Sequence, residues 1–235
     1  MDKIKGMGFN TLRIYSTDCD TLKNVGDACK EKGLKLIAGV FVKENGCGLS
    51  GMNKQQIDDL IAWGQWDMVS AIIIGNEAVF GNLCSASQLR GLIEGGKSML
   101  TAAGYPGPYM TAETVNVWEQ HGDELCGCVD IAGANIHAYF DAGVAPGDAG
   151  RFVKSQLDIV QNKCGKKALT TESGWPTEGN TNGHAVPGYS QQKEAVDSIR
   201  QTCGEDVVFF TYGKAFWKGD SSCNCEPYFN IESSF

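Results

Sequence analysis

Two glutamates in this sequence stand at the ends of apolar runs: Glu77 in AIIIGNEAVF (71–80) and Glu172 in ALTTESGWP (168–176). Burying a carboxylate costs several kcal/mol of desolvation unless it is paired, hydrogen-bonded or protonated, so both positions ask for a chemical reason. Paired carboxylates across a cleft suit glycoside hydrolysis, in which one protonates the leaving oxygen while the other attacks C1 or activates water. Apolar surroundings can hold one carboxyl protonated, and an arginine such as Arg13 with a tyrosine hydroxyl can keep the other ionised. Asn76, Tyr15, Tyr139 and Trp175 flank the pair, and aromatic rings fit the apolar C–H faces of a sugar. A retaining mechanism predicts carboxyl groups roughly 5 to 5.5 Å apart. A single strand-end glutamate is more often structural; two in this context favour chemistry. His137 reads as a hydrogen-bonded wall residue, and Glu113 as either a subsite contact or part of a solvated loop.

These residues need elements to position them. Short apolar runs at 9–16, 34–41, 69–76, 108–113, 129–138, 168–172 and 207–212 read as strands, and amphipathic stretches near 20–32, 53–66, 86–103, 150–163 and 189–202 read as helices. Asn53, Ser85 and Ser190 are candidate helix caps. Such β-α alternation gives a parallel sheet covered on both faces. Polar residues collect at several carboxyl ends, namely Tyr15 and Asp18, Asn76 and Glu77, Glu113, His137 and Tyr139, and Glu172, which favours a (β/α)8 barrel over a doubly wound sheet. Period-two alternation groups Gly133, Asn135, His137 and Tyr139 together, and Arg13 with Tyr15, on what should be the barrel's interior near its mouth. Seven strands can be counted. Residues 1–8 resemble the last turn of a helix, so a single catalytic domain over 1–235 that lacks its first β-α unit is expected.

The chain has 235 residues, 42% of them hydrophobic and 20% charged, with a net charge of −8. A sizeable core is available, and an acidic chain without a basic cluster argues against nucleic acid or an anionic membrane as partner. No apolar run is long enough for a membrane span, and a signal segment, if the protein is secreted, would lie outside these residues. Ten cysteines point to disulfides formed on the secretory route, with the pairing open. A zinc site would have to use Cys126-x-Cys128 and Cys223-x-Cys225, whose spacing is not the usual one, so no metal is expected.

The stretches LRIYSTDC (12–19), IIIGNEAVF (72–80), DIAGANIHAYF (130–140), TTESGWP (170–176) and FWKGDSSCNCEPYFNI (216–231) resemble family 17 of the glycoside hydrolases, the retaining β-1,3-glucanases and glucanosyltransferases, and most closely its fungal cell-wall branch. The resemblance implies Glu77 as acid/base and Glu172 as nucleophile. It places Asn76 at the 2-hydroxyl of the sugar being cleaved, Tyr15 and Tyr139 along the same subsite and Trp175 beside the substrate; Asp18, Glu113 and His137 join them as candidate substrate contacts. Where many relatives carry acidic residues after the last strand, this sequence has Gly213-Lys214-Ala215. The expectation is a secreted, monomeric, cofactor-free glycosidase or transglycosylase acting on β-1,3-glucan. The rival from another class is a non-catalytic glucan-binding or structural wall protein.

Overall fold

The computed structural model describes residues 1–219, 222–232 and 234–235. Seven strands form one sheet whose order follows the chain: β1 Thr11–Arg13, β2 Lys35–Val40, β3 Val69–Asn76, β4 Tyr109–Thr114, β5 Ala132–Asn135, β6 Ala168–Ser173 and β7 Val207–Phe209. Where the register is defined, β1–β2, β2–β3, β3–β4 and β6–β7 are parallel. A parallel sheet in strict chain order winds one way only, the topology of a (β/α) barrel, whereas a doubly wound sheet must reverse its order at a switch point. The expected class and strand count both stand.

The helices are α1 Asp2–Gly6, α2 Asp27–Lys32, α3 Gly51–Trp63, α4 Ala86–Ala102, α5 Val115–Leu125, α6 Ala149–Cys164 and α7 Tyr189–Cys203. Three details differ from the sequence pattern. The stretch 20–32 opens as a π-helical turn, Leu22–Gly26, before α2. The sequence pattern missed α5, which follows β4 with no intervening turn residue: Thr114 both ends the strand and caps the helix. Only one of the three expected caps serves as one. Ser85 accepts from the Gln88 amide while Gln88 accepts from the Ser85 amide, a reciprocal capping box. The α3 cap is Ser50, and Asn53 is instead buried, donating to the carbonyls of Gly46 and Gly48; α7 starts from Gly188, not Ser190.

The described residues fall into two compact units, Met1–Gly133 with Lys163–Lys167, and Ala134–Asn162 with Ala168–Phe235. In the first, Leu36, Ile72 and Ile74 of the sheet and Ile57, Leu60 and Leu89 of the helices are fully buried. The Trp118 indole of α5 is also buried and donates to the Gly133 carbonyl at 2.8 Å. In the second, Val153 and Val160 of α6 and Val196 and Ile199 of α7 supply the core. Disulfides join Cys47 to Cys84, Cys126 to Cys164 and Cys223 to Cys225. Cys126, Cys223 and Cys225, three of the four cysteines a metal site would have needed, are thereby oxidised. Cys19, Cys29, Cys128 and Cys203 are thiols, the last three buried, and burial raises the pKa of both Cys128 and Cys203 to about 11. None of the described helices is long and apolar enough to cross a membrane.

Candidate active site

In the first unit, β3 does not run straight to Glu77. Its register with β4 shifts between Ile73 and Asn76, and Gly75 and Glu77 both take positive φ, +85° and +49°. A Cβ on Gly75 would lie 2.7 Å from Leu89 Cδ1, so glycine there answers both a backbone and a packing demand. Glu77 N donates to the Ala112 carbonyl at 2.7 Å, and the chain then curls into a tight turn closed by Gly81 N on the Glu77 carbonyl at 2.8 Å. A non-glycine residue in this conformation costs on the order of 1–3 kcal/mol, and such strain persists only where the surroundings over-determine it. Glu77 remains partly exposed.

Beside it, Asn76 Oδ1 accepts from the Arg13 guanidinium at 2.6 Å, and that guanidinium lies 4.3 Å from the centre of the Tyr15 ring. Arg13, Tyr15 and Asn76 therefore form one contiguous group, in which the strand-alternation link between Arg13 and Tyr15 becomes a direct contact. Asp18 is exposed on the following loop and pairs with Lys43 at 3.5 Å. Glu113, at the end of β4, is fully buried, which excludes the solvated loop. Its carboxyl accepts from Val79 N at 2.9 Å and Phe80 N at 3.3 Å. Burial pushes its pKa up to about 7, against the opposing pull of those amides.

In the second unit, Glu172 lies within β6, where the register with β7 shifts between Thr170 and Ser173, and it is 8% exposed. Its carbonyl accepts from Ile136 N at 2.8 Å, and its Oε2 lies 3.4 Å from His137 Nε2. The imidazole stands edge-on to Phe210 and Phe229, at 5.6 and 5.3 Å between ring centres. His137 is thus a wall residue with a carboxylate neighbour. The sheet periodicity does not place it: β5 ends at Asn135, His137 continues in extended backbone, and Tyr139 belongs to a 3-10 turn, Ala138–Phe140. Tyr139 is 1% exposed and donates its hydroxyl to the Asn180 carbonyl. Trp175 is fully buried, donates to the Val186 carbonyl at 2.9 Å and packs edge-on against Tyr139. Phe210 and Phe229 were not singled out by sequence, since a phenylalanine in an apolar run reads as core.

A model of the BtgE/BtgC glycoside hydrolase domain matches residues 1–230. The chain belongs to that family. This BtgE/BtgC domain is 42% identical over 233 residues to a protein of Aspergillus terreus named probable beta-glucosidase btgE, covering 99% of this chain and 41% of that protein. Its counterpart in Emericella nidulans, of the same name, is 45% identical over 216 residues, 92% of this chain and 39% of its own. The chain thus spans about two fifths of the length of the curated relatives it matches. Among solved structures, the BtgE/BtgC domain resembles an active-site mutant of Rhizomucor miehei beta-1,3-glucanosyltransferase in complex with laminaritriose, with a TM-score of 0.80 at 16% identity over 94% of this chain and 81% of that one. It also resembles CJP38, a beta-1,3-glucanase and allergen of Cryptomeria japonica pollen, with a TM-score of 0.77 at 15% identity over 98% and 88%. At these identities the likeness speaks for the fold alone, a (β/α) barrel.

Proposed function

We propose that the chain is the catalytic domain of a retaining glycosidase or transglycosylase acting on β-1,3-glucan of the cell wall, outside the cell. Glu77 is its acid/base and Glu172 its nucleophile. One observation carries this reading: within a matched glycoside hydrolase domain, glutamates occupy the carboxyl ends of β3 and β6, each beside polar partners of its own. Glu77 protonates the glycosidic oxygen while the Glu172 carboxylate attacks C1. Glu77, now a base, next takes a proton from water or from a sugar hydroxyl, and C1 leaves Glu172 for that oxygen. Hydrolysis and transfer differ only in the acceptor.

The Arg13 bond to Asn76 Oδ1 fixes which end of the amide is nitrogen, and Nδ2 is then the donor that meets the sugar 2-hydroxyl. Tyr15, stacked by Arg13 in the first unit, and Tyr139, packed against Trp175 in the second, are the aromatic candidates for sugar contact. The disulfides support a location outside the cytosol. The glucan substrate is supported by the solved neighbours, which are named as beta-1,3-glucan enzymes.

The test is release of reducing sugar from laminarin by the purified chain, abolished in Glu172→Gln, with proton NMR showing the β-anomer of the product first. Immediate α-product would rule out retention. Laminarin binding without any turnover would replace this reading with a glucan-binding wall protein.

A further inference from the structure

Glu113 has no part in the chemistry just described, yet it is a completely buried carboxyl lying against the turn that follows Glu77. Its two oxygens take the amides of Val79 and Phe80, and the Ala78 amide also bears on it. Those three residues are the first three after Glu77, so the carboxyl holds the turn from its far side. From the near side the same strand contributes the Ala112 carbonyl, which takes the Glu77 amide at 2.7 Å. The turn's own bonds, Gly81 N to Glu77 O at 2.8 Å and Leu83 N to Ala78 O at 2.9 Å, close it but do not tie it to the sheet.

A left-handed glutamate survives only under such constraint. Loss of the clamp would let Glu77 relax toward ordinary φ and carry its carboxyl away. We propose that Glu113 is a positioning residue, holding Glu77 in the left-handed conformation from which it delivers its proton to a glycosidic oxygen. This rests on the acid/base role of Glu77 given above. Complete burial separates it from a subsite role, because a sugar hydroxyl would have to displace the Val79 and Phe80 amides to reach the carboxyl.

The test compares Glu113→Ala, Glu113→Gln and Glu77→Ala in the whole chain, on laminarin and on an aryl β-glucoside with an activated leaving group. Misplacing a catalytic group by about 1 Å costs roughly 100-fold, so Glu113→Ala should lose about that factor in kcat on laminarin with KM little changed. It should lose far less on the aryl glucoside, whose leaving group needs little protonation. Glu113→Gln keeps a carbonyl acceptor for one amide and should recover most of the rate. Circular dichroism and thermal melting identify any variant that has not folded, in which case Glu113→Gln on the two substrates, with hydrogen exchange at Val79 and Phe80, decides the matter. Equal losses on both substrates, a change confined to KM, or unaltered rates in folded Glu113→Ala would overturn the positioning role while leaving Glu77 and Glu172 in place. A fully active Glu77→Ala would overturn the acid/base assignment and this role with it.

Discussion

The two glutamates are held by different means. Glu77 is presented by its backbone: a register shift, a positive-φ glycine, a left-handed φ of its own and a turn tied down by Glu113. Glu172 shares the register shift, between β6 and β7 in its case, but lies within the strand without a positive φ, and side chains shape its surroundings, with His137 3.4 Å from its carboxylate and Phe210 and Phe229 around the imidazole. The proposed roles fit this contrast. A general acid has to meet an oxygen on a leaving group that then departs, so a turn at the end of a strand suits it. A nucleophile must reach one carbon along one line, and a strand inside the sheet gives it the least freedom.

The contrast can be broken most directly by kinetics. Glu172→Ala should lose several orders of magnitude on every glycoside, because no covalent intermediate forms. Glu77→Ala should lose about 100-fold or more on laminarin and much less on an activated aryl glucoside, with azide restoring part of the aryl rate. Equal losses in the two variants on both substrates would erase the difference in role.

A smaller effect lies in the pH dependence of stability. Glu113 is pushed by burial from an ordinary value of 4.5 to about 7, so the folded chain binds its proton more tightly than the unfolded chain does. Stability from this carboxyl is fully present below pH 4.5 and is lost as pH rises to 7, by roughly 3 kcal/mol, since each tenfold difference in proton affinity is worth about 1.4 kcal/mol. Glu113→Gln cannot titrate there. Denaturant unfolding of both forms should show the parent falling relative to Glu113→Gln between pH 4.5 and 7; parallel curves would contradict a buried carboxyl of raised pKa.

The smallest effect compares the glycines beside the two glutamates. A Cβ on Gly174 would lie 2.3 Å from the Phe210 carbonyl oxygen, a backbone atom, whereas one on Gly75 meets the mobile end of Leu89 at 2.7 Å but at φ +85°. Alanine at either should destabilise by about 1–3 kcal/mol, with Gly174→Ala toward the upper end because backbone yields less than a side chain. Gly75→Ala should also slow laminarin turnover more than aryl-glucoside turnover, while Gly174→Ala should slow the two alike, since only Gly75 shapes the turn that carries the acid. A Gly75→Ala chain as stable as its parent would show that the bulge tolerates a side chain.

Among the described residues, the β-α order, six of the seven helices and every strand are legible in the sequence, because apolar period and turn residues are local signals. Helix α5 is the exception: strand passes into helix at Thr114 without a glycine, proline or loop to mark the change. Glu77 and Glu172 stand out for the same local reason, charge at the end of an apolar run. What the sequence could not determine is what covers a strand end. Glu113 reads there as well as any subsite residue, yet the amides that bury it come from the Ala78–Phe80 turn, distant in the chain. Asn53 likewise looks like a cap until the Gly46 and Gly48 carbonyls arrive to claim its amide. Burial and hydrogen-bond partners are properties of segments brought together, and only the tertiary structure decided which polar residues face the solvent and which hold the chain that carries the chemistry.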